Sequence, residues 1–189
     1  MKRISILVMA LLILLSCSAS AATIPLPKIG VIILGSSDFK TDDYFNSIKS
    51  LFPSNDNYTI ECGSTTQSKY QTFWLNKGFL EEQKPVKQDL IDFVKYSGYD
   101  KVFFIMIKDP VVDSHKTPVS LFTSVVSSRA SVSINAFIVD KDNIIRAASS
   151  SKEDDSQTSE LRAKRGAFKK CLKEISTSME LLNKEHIEK

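Results

Sequence analysis

The chain is poor in the residues that most often mark a chemistry. Among 189 residues there are two histidines, His115 and His186, and His186 lies close to the carboxyl end. Histidine is the commonest general base. His115 closes the run Asp113-Ser114-His115, but side chains adjacent in sequence cannot face one another as a nucleophilic relay requires. The composition of a loop accounts for these letters instead. The three cysteines, Cys17, Cys62 and Cys171, form no C-x-x-C pair, which removes the zinc-ribbon and dithiol redox patterns. With six glycines in all, Gly35-Ser36-Ser37 is too poor in glycine to cradle a phosphate, and no Walker or dinucleotide fingerprint occurs. Six prolines and six glycines also exclude collagen-like and low-complexity classes. A net charge of +3, from 25 basic and 22 acidic residues, gives no reason to expect a nucleic-acid partner. These absences leave no catalytic set and imply no cofactor.

What is present is ordinary for a globular chain. Hydrophobic residues make up 42% and charged residues 25%, and the length suits one domain. The exception is the amino-terminal segment. Lys2 and Arg3 precede an apolar run from Ile4 to Leu15, followed by Ser16-Cys17-Ser18-Ala19-Ser20-Ala21-Ala22. This is the three-part pattern of a secretory signal. This mostly apolar run of twelve residues spans about 18 Å as a helix, short of the roughly 30 Å hydrocarbon core. Ala19-Ser20-Ala21 suits cleavage before Ala22, making 1–21 a signal peptide and 22–189 a single domain. Its core runs from about 28 to 182, with a frayed tail over 183–189. The alternative is a lipobox at Leu14-Leu15-Ser16-Cys17, with Cys17 acylated as the only link to a membrane. The expected location is therefore periplasmic or secreted, or a membrane-anchored lipoprotein.

Export places Cys62 and Cys171 in an oxidising compartment. A bridge closing 109 residues is worth about 4–5 kcal/mol on the chain-entropy model. Two separately buried thiols fit the sequence as well.

Apolar patterning gives the order β-α-β-α-α-β-β-β-α. Lys28 to Gly35 and Val102 to Ile107 read as strands buried on both faces, and Asn57 to Cys62 as a strand nearer an edge. Thr41 and the pair Ser64/Gln67 stand where helices begin, the second as a capping box. Tyr70, Phe73 and Trp74 follow on a short helix, with Trp74 in the core, and Val86, Leu90, Phe93 and Val94 form the next apolar face, closed by Gly98. Asp109 to Ser120 reads as a polar loop. Ser128 to Asp140 alternates, with Ala130, Val132, Ile134, Ala136 and Ile138 on one face, and returns through Lys141-Asp142-Asn143 as a hairpin. Ser149 to Ser159 reads as a linker. Leu161, Phe168, Leu172, Ile175, Met179 and Leu182 then form the stripe of a long helix. The fold class is α/β (α+β): a single mixed β-sheet of about five strands with helices packed mainly on one face.

Two groups of side chains remain as site candidates. Asp38, Asp42 and Asp43 follow the first strand, at the end where α/β sheets place ligands. Oxygen donors of this kind can hold a hard divalent ion, and acidic residues at a helix start explain them equally. Asp109, Asp113, His115 and Lys116 lie on the expected loop, and loops of that length often bind. The basic residues Arg162, Lys164, Arg165, Lys169, Lys170 and Lys173 read as the solvated face of the last helix.

Ile29-Gly30-Val31-Ile32-Ile33-Leu34, Gly98-Tyr99-Asp100-Lys101-Val102-Phe103 and Ala136-Phe137-Ile138-Val139-Asp140 with its return Ile144-Ile145-Arg146 together carry a resemblance. The stretch from about Lys28 to Leu182 resembles the small bacterial cell-envelope domains of the TolB N-terminal, CsgG and LpoB type. Departures are the missing proline and phenylalanine after the first strand, Asn143 at a turn where glycine is usual, and Arg146 in place of an aromatic. The resemblance implies an exported, non-enzymatic envelope accessory or scaffold that works through protein contacts. The alternatives are a secreted hydrolase or metal-dependent enzyme built on the Asp cluster, and a small-ligand binder at the carboxyl end of the central strands.

Overall fold

The two unbroken apolar runs form the middle of the sheet. In the computed structural model, which describes residues 25–52, 57–79, 84–118 and 124–181, β1 (Lys28–Gly35) lies parallel to β3 (Lys101–Ile107) from Ile29 to Gly35. The short β2 (Thr59–Glu61) pairs with β1 over three residues on its other side. Helix α1 (Asp42–Lys49) carries the chain from β1 to β2, while α2 (Ser64–Asn76) and α3 (Lys87–Ser97) carry it back to β3. The remaining strands β4 (Val111–Pro118), β5 (Ser124–Val139) and β6 (Ile144–Ser156) are antiparallel, and α4 (Glu160–Ser178) ends the fold. The result is one open mixed sheet of six strands with four helices against it.

Strand β5 is the spine. Its residues 134–139 pair with β3 and its residues 124–131 with β4, both antiparallel. On the opposite edge β6 pairs along nearly the whole length. β3 and β4 thus lie end to end along one side of β5, joined by Lys108-Asp109-Pro110, with Lys108 N–H donating to Ser133 O at 3.1 Å. The outer half of β5, with β4 and the end of β6, forms an arm beyond the parallel strands.

The expected single mixed sheet is present, with two differences. Helices α1 and α4 cover one face, where Val31, Ile33, Phe103 and Ile105 meet Phe45, Phe168 and Ile175. Helices α2 and α3 cover the other, where Ile32, Leu34 and Phe104 meet Tyr70, Trp74 and Phe93. The helices therefore divide two to each face rather than lying mainly on one. Successive residues of a strand point to opposite faces, so the fully apolar β1 and β3 require cover on both sides. The second difference is the added strand: Val111–Pro118 is β4 rather than loop, and β6 runs on through Ser156 where a linker was expected. Ladder hydrogen bonds come from the backbone, so a strand with a solvent-facing side needs little apolar signal.

The long helix docks as its stripe requires, with Phe168, Leu172, Ile175 and Met179 buried beside Ala163, Ala167 and Cys171. Leu161, expected in that stripe, is 55% exposed because the buried face starts at Ala163; Leu182 lies outside the described residues. The amino-terminal signal, Cys17 and His186 lie outside them as well. Among the described residues no helix is long and apolar enough to cross a membrane.

Candidate functional site

Asp38, Asp42 and Asp43 lie on one side of the sheet, and Asp113 and His115 on the other. Asp38 follows β1 in a short 3-10 turn, and Asp42 and Asp43 open α1 after the N-cap Thr41. Phe39 and Tyr44, on either side of this turn, are buried in the layer of α1 and α4. Lys164 of α4 donates to Asp38 at 2.6 Å, and Arg165 is bonded to Asp43. These carboxylates tie the amino-terminal end of α4 to the β1–α1 connection. Among the described residues no group of three His, Cys, Asp or Glu side chains could hold a metal ion.

The backbones of β1 and β3 stay bonded to the carboxyl end of the strands. Ser36 N–H donates to Ile107 O at 3.2 Å. Gly35 has φ +87°, and a Cβ built there would lie 1.9 Å from the same carbonyl. Glycine is required at this crossing by both conformation and contact.

Asp113 and His115 belong to the second group and lie on β4, directly opposite Arg129 and Ser127 of β5. Their face is the one away from α4. Ala130, Val132, Ile134 and Ala136 are buried beneath that helix, so the alternate residues of β5 point the other way. Helices α2 and α3 cover this second face only as far as Phe137 and Met106. Past that line Ser127 and Arg129 are exposed and Ser131, Ser133 and Asn135 half-buried, with no helix of the described chain over them. β6 adds Ser149, Ser151, Glu153 and Asp155, opposite Asn135, Ser133, Ser131 and Arg129.

The arm thus presents a flat polar face with an ordered grid of charges and hydroxyls. Arg129 Nε donates to Asp155 at 2.8 Å, and that pairing pushes the guanidinium pKa upward. Ser133 and Ser151 share a hydrogen bond at 2.8 Å. His115 Nε2 lies 3.1 Å from Asp113 Oδ2, both side chains more than two-thirds exposed. Ser114 points to the helix side, where it donates within 3.0 Å of Ser128 and Glu160. Adjacent in sequence, Ser114 and His115 are on opposite faces, as the relay argument anticipated. Lys116 is exposed on β4, and Asp109 is exposed in the link before it.

The structure does not bring Asp38, Asp42 and Asp43 together with His115. The first three accompany α1 and α4, whereas His115 faces away from α4. Cys62 and Cys171 are free thiols. Cys171 is buried with its Sγ 3.2 Å from Val132 O, and Cys62, just past β2, packs half-buried against the same layer. The serine rows of β5 and β6 are signalled in the sequence by the alternation of Arg129, Ser131, Ser133 and Asn135 with the buried Ala130, Val132, Ile134 and Ala136.

No protein-family model matches the sequence, and no curated protein does. Solved structures similar to this chain include lipoprotein GNA1162 from Neisseria meningitidis, at 18% identity and a TM-score of 0.44, covering 80% of this chain and 99% of that one. The hypothetical protein CT253 from Chlamydia trachomatis is similar at 10% identity and TM-score 0.42, covering 82% and 98%. The LpoB C-terminal domain from Salmonella enterica is similar at 9% identity and TM-score 0.35, covering 69% and 86%. Bacterial lipoproteins and an LpoB domain are thus among the similar structures, at identities that set no residue of this chain in a role.

Proposed function

We propose that the chain is an exported accessory of the bacterial cell envelope that works by docking to another protein, without catalysis of its own, through the open face of the β4–β5–β6 arm. The observation that carries this reading is the uncovered half of the sheet. One face of β5 is buried under α4 while the other displays Ser127 to Asn135 with no helix of the described residues over it. A sheet face with satisfied charge pairs and small hydroxyls suits the polar surface of a protein partner. The signal-like amino terminus supports export. The acidic residues after β1 support the same reading, since Asp38 and Asp43 are engaged by α4.

Because Val111–Pro118 is a strand, deleting it would remove a ladder of the sheet, so the test keeps it. A photo-crosslinking residue at Ser131 or Ser133, in the full chain in its own cells, is expected to form a discrete adduct with another protein. The control position is Leu75, 63% exposed on helix α2 rather than on the arm. Arg129→Glu should abolish the adduct while the circular dichroism spectrum is unchanged. Adducts formed from Leu75 alone would overturn the assignment.

A further inference from the structure

The outer edge of β6 is the longest unpaired strand edge among the described residues. β6 runs thirteen residues, Ile144–Ser156, and pairs only with β5. Such an edge presents a row of backbone donors and acceptors and is a template for another strand. Proteins blunt long edges with bulges, prolines or lysines near the middle. Here the irregularity lies at Ile138/Val139, opposite the start of β6. From Arg146 to Ser156 the register is unbroken, without proline, and the middle is Ala147-Ala148-Ser149-Ser150-Ser151. Small uncharged side chains leave that edge open to close approach.

The charges choose the partner and its direction. Arg146, which also bonds Met179 O and Glu180 of its own chain, stands at one end of β6, and Glu153, Asp154 and Asp155 stand at the other, where Lys170 of α4 bonds Asp154 and Glu153 O. A second β6 laid parallel puts like charge beside like. Laid antiparallel, it puts the basic end of each copy against the acidic end of the other, and directly opposed opposite charges stabilise a strand pair. A two-fold axis normal to the sheet preserves its faces, so each residue must meet one of its own face and only every second register is allowed. With the axis at Ser150, Arg146 meets Asp154 of the other copy, Ala147 meets Glu153, Ala148 meets Lys152 and Ser149 meets Ser151. No like charges are opposed. With the axis at Ser149, Arg146 meets Lys152; with the axis at Ser151, Arg146 has no acidic neighbour across the pair.

We infer that β6 pairs with the β6 of a second copy of this chain, antiparallel and centred on Ser150, joining two six-stranded sheets into one. The two copies form a closed dimer, and the two open faces lie on the same side of the joined sheet. This goes beyond the docking of a different protein, because it uses the strand edge rather than the face.

The test is the molar mass of the full chain by light scattering over a range of concentrations. The expected result is a rise from 21.1 kDa to twice that value for the unprocessed chain. Ser149→Lys with Ser151→Lys places two lysines opposite each other in this register and should return the mass to that of the monomer. Ser149→Lys with Ser151→Glu alters the same positions but pairs opposite charges, and should keep the dimer. A monomer at every concentration overturns the inference. So does a dimer that both double variants retain, since it would be joined elsewhere. Circular dichroism matching the unmodified chain establishes that each variant is folded. Crosslinks from Ser131 or Ser133 are read separately and stand or fall without the dimer.

Discussion

The side chain of Gln67 in α2 completes the hydrogen bonding of Ile33 in β1. Its Nε2 donates to Ile33 O at 2.9 Å, and its Oε1 accepts from Ile33 N–H at 3.2 Å. β2 accompanies β1 only from Lys28 to Gly30, so beyond Gly30 that edge of a fully buried strand has no ladder. The amide of Gln67 takes the place of the missing strand residue. Buried backbone groups are paired almost without exception, and this contact supplies both partners at once.

Gln67→Leu should therefore destabilise the fold by about 2–6 kcal/mol, because it leaves a buried N–H and a buried C=O unsatisfied at about 1–3 kcal/mol each. Urea unfolding monitored at Trp74 measures the loss. A change within about 0.5 kcal/mol, the range of ordinary surface substitutions, would show that Ile33 finds other partners.

Gly30 and Tyr99 make a second dependence within the same strand. A Cβ at Gly30 would lie 2.6 Å from two carbons of the Tyr99 ring, which is 2% exposed and donates its hydroxyl to Glu61 at 3.0 Å. Gly30→Ala should cost about 1–3 kcal/mol through overpacking. In a Tyr99→Leu background the added cost should shrink, because the ring is gone. Purely additive urea midpoints for the two changes would argue against contact as the cause.

The legible parts of this fold were those written in apolar residues. β1 and β3 are unbroken hydrophobic runs, and β5 alternates cleanly from Ala130 to Ala136, so each was readable from its period. β4 was not, because Asp113 and His115 face water and, on the other face, Val112 is half-buried and Ser114 exposed. The far half of β6 was missed for the same reason: Ser149 to Ser156 carries no apolar residue, and its strand conformation comes from pairing with β5. Gln67 was misread in another way. The spacing Ser64/Gln67 matched a capping box, yet Gly63 is the N-cap and the Gln67 side chain is taken by Ile33. A local motif yields when tertiary structure offers the same group a buried unsatisfied partner. Asp113 and His115 lie on a strand where a loop was expected, and the face they share could not be read without the register.

Asp140 makes stability depend on acid. At the β5–β6 turn its Oδ1 accepts from the N–H groups of Asp142 and Asn143 at 2.8 and 2.7 Å, and these bonds lower its pKa below the ordinary 3.8. A carboxyl whose folded pKa is depressed contributes stability that is complete above its unfolded value and is lost as pH falls through the folded one. The loss therefore falls at and below about pH 4. Asp140→Ala should lower stability at pH 7 and make it less dependent on pH between about 5 and 3, measured by urea midpoints across that range. Asp100, held by Lys28 N–H at 2.9 Å, is depressed for a similar reason and leaves a residual slope in the variant.

Cys171 reports how firmly α4 is held on the sheet. It is fully buried, and burial pushes its thiol pKa up; Cys62 is raised by burial too but lies half-exposed, with Lys49 working against the shift. A thiol reagent should therefore label Cys62 in the native protein and reach Cys171 only when α4 lifts, a partial opening rather than global unfolding. The ion pairs Lys164–Asp38 and Arg165–Asp43 fasten the first turns of that helix, and partly exposed pairs are worth about 0.2–1 kcal/mol each. Asp38→Asn with Asp43→Asn should then speed labelling of Cys171 by about twofold to thirtyfold, the range those energies allow, and leave Cys62 unchanged. Equal acceleration at both thiols would mean that the whole domain had been loosened. No acceleration at Cys171 would mean that the two carboxylates do not hold the helix, and would return them to consideration as a ligand site.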